Sequence, residues 1–264
     1  MSKRIAFLGA GNMATPIINS IKDDQIFIYD KFKEVYAKFD GIDNITCVDT
    51  TADAVNNADY IFLCCKPQQM EGSLTDVRDN TSFKDKIFIS IAAGISISKI
   101  CELLDFNVPV IRTMPNTPMM IGKGVVVITR NDLVTDADFD TVCGLFKPTS
   151  EILIVPEDHI NVMTGVTASA PAYVYLFIKS ILDSAVKQGM NYDNMLQIIC
   201  NMVVGSAELL LHNGMTPDEM IKVVASPKGT TEAALKVFAV SDFTDVIHDA
   251  MTACTARADE LSKL

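Results

Sequence analysis

Positive charge is what this sequence has least of: 22 lysines and arginines stand against 33 acidic residues, a formal net charge of −11. With no compensating basic block, such a chain repels nucleic acid and anionic membrane surfaces, and neither is expected as a partner. Histidine is scarce too. His159, His212 and His248 are the only three, and none adjoins a serine or cysteine in a nucleophile motif. Seven cysteines (Cys47, Cys64, Cys65, Cys101, Cys143, Cys200 and Cys254) are scattered without a CxxC pair or a histidine at metal-ligand spacing. No metal site is expected, and the thiols read as small buried hydrophobes in a reducing cytosol. No uninterrupted apolar segment reaches bilayer length, and the N-terminal apolar run is too short for a signal peptide. A soluble, cytoplasmic protein is the expectation.

What is present is a chain of 264 residues, 49% of them hydrophobic, long enough for one domain of ordinary size and a smaller second. The apolar run Ile5-Ala6-Phe7-Leu8 breaks into Gly9-Ala10-Gly11-Asn12-Met13-Ala14 and then reads as helix. The spacing Gly9, Gly11, Ala14 is a dinucleotide fingerprint: Gly9 permits the turn, Gly11 lets a pyrophosphate approach the backbone, and Ala14 lets helix pack on strand. A glycine pair after a strand also serves as a plain turn. Two facts favour a nucleotide: the strand precedes the pair immediately, and Asp30 ends the next apolar run, where a ribose-binding acid is expected.

From Ile5 to about Val155, β-rich runs alternate with amphipathic or polar segments, the pattern of βαβ units on a mostly parallel sheet. Strands are predicted over Arg4 to Leu8, Gln25 to Tyr29, Thr46 to Val48, Tyr60 to Cys64, Lys86 to Ser90, Val108 to Arg112, Gly124 to Thr129 and Glu151 to Val155. Helices are predicted over Met13 to Ile21, Lys31 to Phe39, Ser96 to Leu104 and Asp136 to Phe146. Ligands of such sheets lie outside the carboxyl ends of the strands. Three segments sit there: Cys64-Cys65-Lys66-Pro67-Gln68-Gln69, Ser90-Ile91-Ala92-Ala93-Gly94, and Arg112-Thr113-Met114-Pro115-Asn116-Thr117-Pro118. In the last, two prolines fix the path of a polar Asn-Thr pair, the character of a loop that serves a site.

After Pro156 strand-like runs give way to helical periodicity, placing a boundary near Pro156 to His159, with 1–157 as the dinucleotide-binding domain and 158–264 as a helical domain. Helical stretches run from about His159 to Gln188, with Pro171 kinking the run or starting a new segment, and from Tyr192 to Asn213. Both are apolar on more than one face, which predicts a dimer or larger assembly. Thr216 caps a helix that begins at Pro217, so Asp218 and Glu219 read as helix-dipole residues and not as catalysts. The string Ala225-Ser226-Pro227-Lys228-Gly229-Thr230-Thr231 leads into a helix over Glu232 to Ala239. Either it cradles an anion on free amides and hydroxyls, or Thr230 or Thr231 is an ordinary N-cap.

These strings together resemble the pyrroline-5-carboxylate reductase family over nearly the whole chain, the Ser-Pro-x-Gly-x-Thr turn in a helical domain being the most specific of them. The resemblance implies a Rossmann-type N-terminal domain, an all-α C-terminal domain forming intertwined dimers or rings of dimers, and NADPH or NADH as hydride donor. It implies pyrophosphate contacts at Gly9, Gly11, Asn12, Met13 and Ala14, further cofactor contacts at Asp30, Lys66, Pro67, Ala92, Ala93 and Asn116, and substrate contacts at Ser169, Ser226, Gly229, Thr230 and Thr231. The Thr231 hydroxyl is placed to reach the ring nitrogen of a cyclic imine. Lys228 stands where the family pattern usually has glycine, and an ordinary φ is expected there because lysine at positive φ costs stability. Asp30 suits the ribose hydroxyls of NADH and repels a 2′-phosphate, an argument blunted by Lys31 and Lys33.

An imine that activates itself on protonation needs little acid–base help, consistent with so few histidines; catalysis rests on positioning. Two other readings fit parts of the sequence. A β-hydroxyacid dehydrogenase needs a general-base lysine on the first helix of the second domain, where Lys179 and Lys187 are the lysines present. A nucleotide-binding assembly module needs no anion cradle at Ala225 to Thr231.

Overall fold

The computed structural model describes residues 2–262. Its strands are β1 (Arg4–Leu8), β2 (Gln25–Tyr29), β3 (Ile45–Cys47), β4 (Tyr60–Leu63), β5 (Ile87–Ser90), β6 (Val110–Pro115), β7 (Gly124–Arg130) and β8 (Ser150–Ile154). They form one sheet in the order β3-β2-β1-β4-β5-β6-β7-β8. All pairings are parallel except β6 with β7. Crossovers carry α1 (Ala14–Ser20) after β1, α2 (Thr51–Asn56) after β3, α3 (Met70–Asn80) after β4, α4 (Ile97–Leu104) after β5 and α5 (Asp136–Phe146) between β7 and β8.

The central strands are continuous apolar runs because both faces of the sheet are covered. Alternate residues of β1 feed opposite cores: Ile5 and Phe7 join Ile17, Phe62 and Phe146 on one face, while Ala6 and Leu8 join Leu63, Leu74, Phe88 and Ile100 on the other. Phe7 stacks on Phe62 with ring centroids 4.5 Å apart. All eight expected strands form. The segment expected as helix from Lys31 is a 3₁₀ turn over Lys33–Phe39. Helices α2 and α3 were not expected. They are short and mostly polar, and α3 packs through little more than Met70, Leu74 and Val77.

By compactness the chain divides later than 157/158: one unit runs to Ser169 and takes back the residues from Thr252 on, and the other is Ala170–Met251. The helical turns after Pro156, α6 (Ile160–Met163) and the π-helical turn Thr164–Ala168, stay with the sheet unit because Ile160 is buried against Met114 and Val127.

The second unit holds α7 (Ala170–Lys187), α8 (Met195–Asn213), α9 (Pro217–Val224), α10 (Thr230–Val240) and the first part of α11 (Phe243–Leu261). Pro171 starts a segment: it lies in the first turn of α7, immediately after the π-helical turn. Thr216 caps α9 as expected, its Oγ1 accepting from the Glu219 amide at 3.3 Å while Glu219 Oε2 accepts from the Thr216 amide at 2.8 Å. The Thr216 amide first and the Thr216 hydroxyl second, which donates to Glu219 Oε2 at 2.9 Å, hold the Glu219 carboxyl below its ordinary range, as suits a capping acid. Among residues of α7 to α10 only Ile199 is buried, and Leu176, Phe177, Leu211 and Val240 are exposed. Apolar surface on this scale marks an interface. Two stretches, Glu157–Lys187 and Met195–Asn213, are long and apolar enough by length and composition to cross a membrane, although neither is one uninterrupted apolar run.

Candidate active site

The first site is built at the end of β1. Gly9 has φ +106°, its amide donates to Tyr29 O at 2.8 Å, and an added Cβ would lie 3.0 Å from the carbonyl carbon and oxygen of Cys64. Only glycine fits there. At Gly11 the reverse holds: an added Cβ would meet nothing within 4 Å. The amides of Gly11, Asn12 and Met13, just before α1, donate to no acceptor among the described residues, while Ala14 is buried against the sheet. Free amides at a helix N-terminus, next to backbone open to close approach, suit a pyrophosphate.

A cavity of about 510 Å³ lies beside this turn, and Gly9, Gly11, Asp30 and Lys66 line it together with Lys31 and Cys64. These four of the expected cofactor residues are thus brought together. Asn12 instead lines a second cavity of about 410 Å³ with Thr15, Lys38 and Met120. Pro67 opens a 3₁₀ turn over Pro67–Gln69, and the Ala92 amide donates to the buried Ser90 Oγ at 3.2 Å. Asn116 has its side chain engaged: Nδ2 donates to Thr167 O at 3.1 Å and Oδ1 accepts from the Val125 amide at 2.9 Å. Met13, Ala14, Pro67, Ala92, Ala93 and Asn116 line neither cavity.

Around Asp30 the two lysines differ. Lys33 Nζ donates to Tyr36 OH at 3.0 Å and Val48 O at 3.1 Å, pairs with Asp49 at 3.5 Å, and lies over the rings of Tyr29 and Tyr36. Lys31 lines the cavity and makes no ion pair among the described residues. Burial pushes the Cys64 thiol well up, which removes it as a nucleophile. Among the described residues no group of three histidine, cysteine or acidic side chains could hold a metal.

A polar cluster that the sequence reading did not single out underlies the same unit. Arg112, on β6, has a side chain only 3% exposed. Its Nη1 donates to Glu157 Oε1 at 3.2 Å and its Nη2 to Asn161 Oδ1 at 2.7 Å, while its buried Nε has no partner among the described residues. Glu157 Oε1 also accepts from the Ile97 amide at 2.8 Å, and Asn161 Nδ2 donates to Asp259 Oδ1 at 2.7 Å. The last turns of α11 lie against the turn after β5, since a Cβ on Gly94 would be 2.5 Å from Leu261 Cβ. Cys254 donates to Ser169 Oγ at 3.2 Å, which leaves the Ser169 hydroxyl free to donate. The available signal was an arginine inside an apolar strand, tolerated only when paired.

The second site follows α9. Ser226 O accepts from the Gly229 amide at 3.0 Å, and an added Cβ on Gly229 would sit 2.5 Å from Ser226 Oγ and 3.0 Å from Ser226 O. Gly229 is the N-cap of α10 without any side-chain cap, so neither Thr230 nor Thr231 fills that role. The amides of Thr230, Thr231 and Glu232 have no acceptor among the described residues.

Lys228 corrects an expectation: its φ is +60°. Its amide donates to the Glu232 carboxylate, which also pairs with Lys236 at 2.7 Å; the Lys236 bond first and the Lys228 amide second hold Glu232 below its ordinary range. The left-handed backbone is thus fixed by the turn, at a cost of about 1–2 kcal/mol for a side chain with a Cβ. Lys228→Gly is expected to raise stability by about 0.5–1 kcal/mol, relief of strain being partly offset by the freer unfolded chain. Chemical denaturation of the two proteins measures this, and a less stable glycine variant would contradict it. Lys179, on α7, is exposed and paired with Asp183 at 2.5 Å, a poor setting for a general base.

A profile described as pyrroline-5-carboxylate reductase dimerisation matches residues 157–261, and one described as NADP oxidoreductase, coenzyme F420-dependent, matches residues 4–94. Pyrroline-5-carboxylate reductase of Escherichia coli (strain K12) is 32% identical over 269 residues, covering 100% of both chains. The 1-pyrroline-5-carboxylate reductase of Streptococcus pyogenes superposes with a TM-score of 0.90 at 27% identity, covering 98% of this chain and 99% of that one. A Plasmodium falciparum pyrroline carboxylate reductase solved with NADP bound gives a TM-score of 0.88 at 23% identity, covering 98% of each chain.

Proposed function

The chain belongs to the pyrroline-5-carboxylate reductase family, and from that premise we infer that it reduces 1-pyrroline-5-carboxylate to L-proline, the last step of proline biosynthesis, with hydride from NAD(P)H. Residues 1–157 carry the dinucleotide, and 158–264 carry the substrate loop and the dimer contacts. The observation that carries the substrate assignment is the turn Ser226–Gly229, which delivers three unpaired amides at the start of α10. A carboxylate accepts from such amides and gains from the helix dipole.

The reduced nicotinamide supplies the hydride; the chain supplies position. Gly9, Gly11, Asn12, Met13 and Ala14 hold the pyrophosphate, Asp30 and Lys66 border it, and Pro67, Ala92, Ala93 and Asn116 shape the surrounding loops. Asp30 favours NADH, because its carboxylate accepts from ribose hydroxyls and repels a 2′-phosphate. Ser226, Gly229 and Thr230 hold the substrate carboxylate, Ser169 donates to the substrate, and Thr231 donates to the ring nitrogen. Fixing the imine carbon in attack geometry replaces a strong acid or base. The exposed apolar faces of α7 and α8 join copies of the chain into dimers and rings of dimers in the cytoplasm, which accounts for their membrane-like composition.

Oxidation of NADH and NADPH followed spectrophotometrically with 1-pyrroline-5-carboxylate tests this reading, and absence of turnover with both would overturn it. Thr231→Ala is expected to lower kcat roughly 10- to 30-fold with cofactor affinity unchanged, the size of one hydrogen bond to a charge-developing atom. An unchanged kcat in a folded Thr231→Ala protein removes Thr231 from the mechanism.

A further inference from the structure

We propose that Asp30 is also a positioning residue of the glycine loop, so that both nicotinamide dinucleotides depend on its carboxylate and removing its charge does not convert the site to the 2′-phosphorylated cofactor. The inference rests on the dinucleotide reading of the cavity at Gly9 and Gly11.

Both carboxylate oxygens already accept backbone amides. Oδ2 takes the Ala10 amide at 2.8 Å and Oδ1 takes the Phe32 amide at 2.8 Å. The Asp30 amide in turn donates to Tyr36 OH at 3.0 Å, and that hydroxyl donates to Val48 O at 2.8 Å. The carboxylate is therefore locked in one orientation by its own turn and presented across the cavity to the residue between the two glycines. Ala10 is fully buried, so its amide has no access to water if the acceptor is lost. From the β2 side the loop has two tethers, Gly9 to Tyr29 O and Ala10 to Asp30, and immediately after them come the unpaired amides of Gly11, Asn12 and Met13. The bond to a carboxylate is the stronger kind. It fixes where those three amides point, and the pyrophosphate they serve is common to both cofactors.

The cations nearby do not supply a 2′-phosphate site once the acid is gone. Lys33 is held by Tyr36, Val48 and Asp49, so of the two lysines that follow Asp30 only Lys31 lines the cavity, and Lys66 lines it from the turn after β4. Deleting the charge at 30 loses the loop without gaining a phosphate clamp.

The test titrates NADH and NADPH separately into the wild type, D30N and D30A, following nicotinamide fluorescence, with kcat measured at saturating cofactor. In D30A both Kd values are expected to rise, that for NADPH about 10-fold and that for NADH up to about 100-fold because NADH also loses its ribose contact. D30N, whose amide oxygen still accepts from Ala10, recovers part of the loss for both, and the loss of kcat at saturating cofactor is smaller than the loss of affinity in either variant. Tenfold tighter NADPH with weaker NADH would overturn the proposal and leave a simple ribose-selecting acid; unchanged Kd values for both would overturn it as well. A fall in kcat and Tm with no recovery in D30N shows a merely structural acid, and D30N carries the comparison if D30A does not fold. A wild type that binds neither dinucleotide overturns the cavity reading itself, a result distinct from each of these.

Discussion

Gly229→Ala is expected to lower kcat/KM for 1-pyrroline-5-carboxylate by about 100-fold while leaving the Kd for NAD(P)H within a factor of two. The added methyl would stand 2.5 Å from Ser226 Oγ and 3.0 Å from Ser226 O, closer than van der Waals contact allows. The serine hydroxyl can rotate away, but the backbone oxygen cannot, so the turn opens and the Gly229 amide loses its bond to Ser226 O. The amides of Thr230 and Thr231 move with it. A displacement of about 1 Å at a positioning group costs on the order of 100-fold, because an oriented reaction depends on near-attack geometry. The Gly9–Gly11 turn, proposed for the cofactor, belongs to a different compact unit, which is why cofactor affinity is the internal control. Steady-state kinetics at saturating cofactor, alongside a fluorescence titration, provide both numbers. A variant within about threefold of wild type would show that the turn does not set the substrate's position.

Arg112→Ala is expected to produce the largest loss of stability, about 3 kcal/mol, a fall in Tm of roughly 6–12 °C. The guanidinium is buried and joins three segments of one unit: β6 through itself, the turn at Glu157 that also caps α4, and the end of α11 through Asn161 and Asp259. Burial lowers its pKa and Glu157 acts in the opposite direction, yet an arginine remains charged at every working pH. Removing it leaves Glu157 without its cation and Asn161 without its donor, and deleting one partner costs far more than the pair contributes. Because Glu157 is about one-third exposed, its unpaired charge is partly solvated, which holds the expected value at the lower end for a buried pair. Calorimetry decides it, and a shift in Tm under about 2 °C would mean that the cluster is incidental to stability.

The sheet was legible because its strands are continuous apolar runs separated by turn residues, a pattern that only full coverage on both faces produces. The glycine fingerprint was legible for a similar reason: Gly9 and Gly11 answer two different steric demands, and the structure shows a Cys64 carbonyl at one and empty space at the other. Helices α2 and α3 were not, and α11 was legible only as part of the helical periodicity after Pro156, without bounds of its own. Their stabilisation comes from contacts distant in sequence, and the residues of α11 that meet the sheet unit are chiefly alanine, cysteine and leucine, which mark no periodic stripe. Lys228 was misjudged on intrinsic preference alone. The acceptor that holds its amide is Glu232, four residues on, and that side-chain bond sets the turn against a backbone preference of about 1–2 kcal/mol. Arg112 was visible as a residue but not as a junction, since helical periodicity after Pro156 does not say that Asp259 meets Asn161.

The return of α11 to the sheet unit separates the order in which this protein is made from the order in which it can finish folding. The helical unit is encoded between the two segments of the sheet unit, so a ribosome exposes all eight strands, the glycine loop and the Gly94 turn long before Ala258 and Leu261 arrive to cover that turn. Until then Asn161 lacks Asp259, and the surface around Gly94 stays open to solvent and to other nascent chains. The closing contacts are among the most remote in sequence that the fold contains, and remote contacts form slowly. Completion of the sheet unit is thereby timed by α11 and not by the strands themselves.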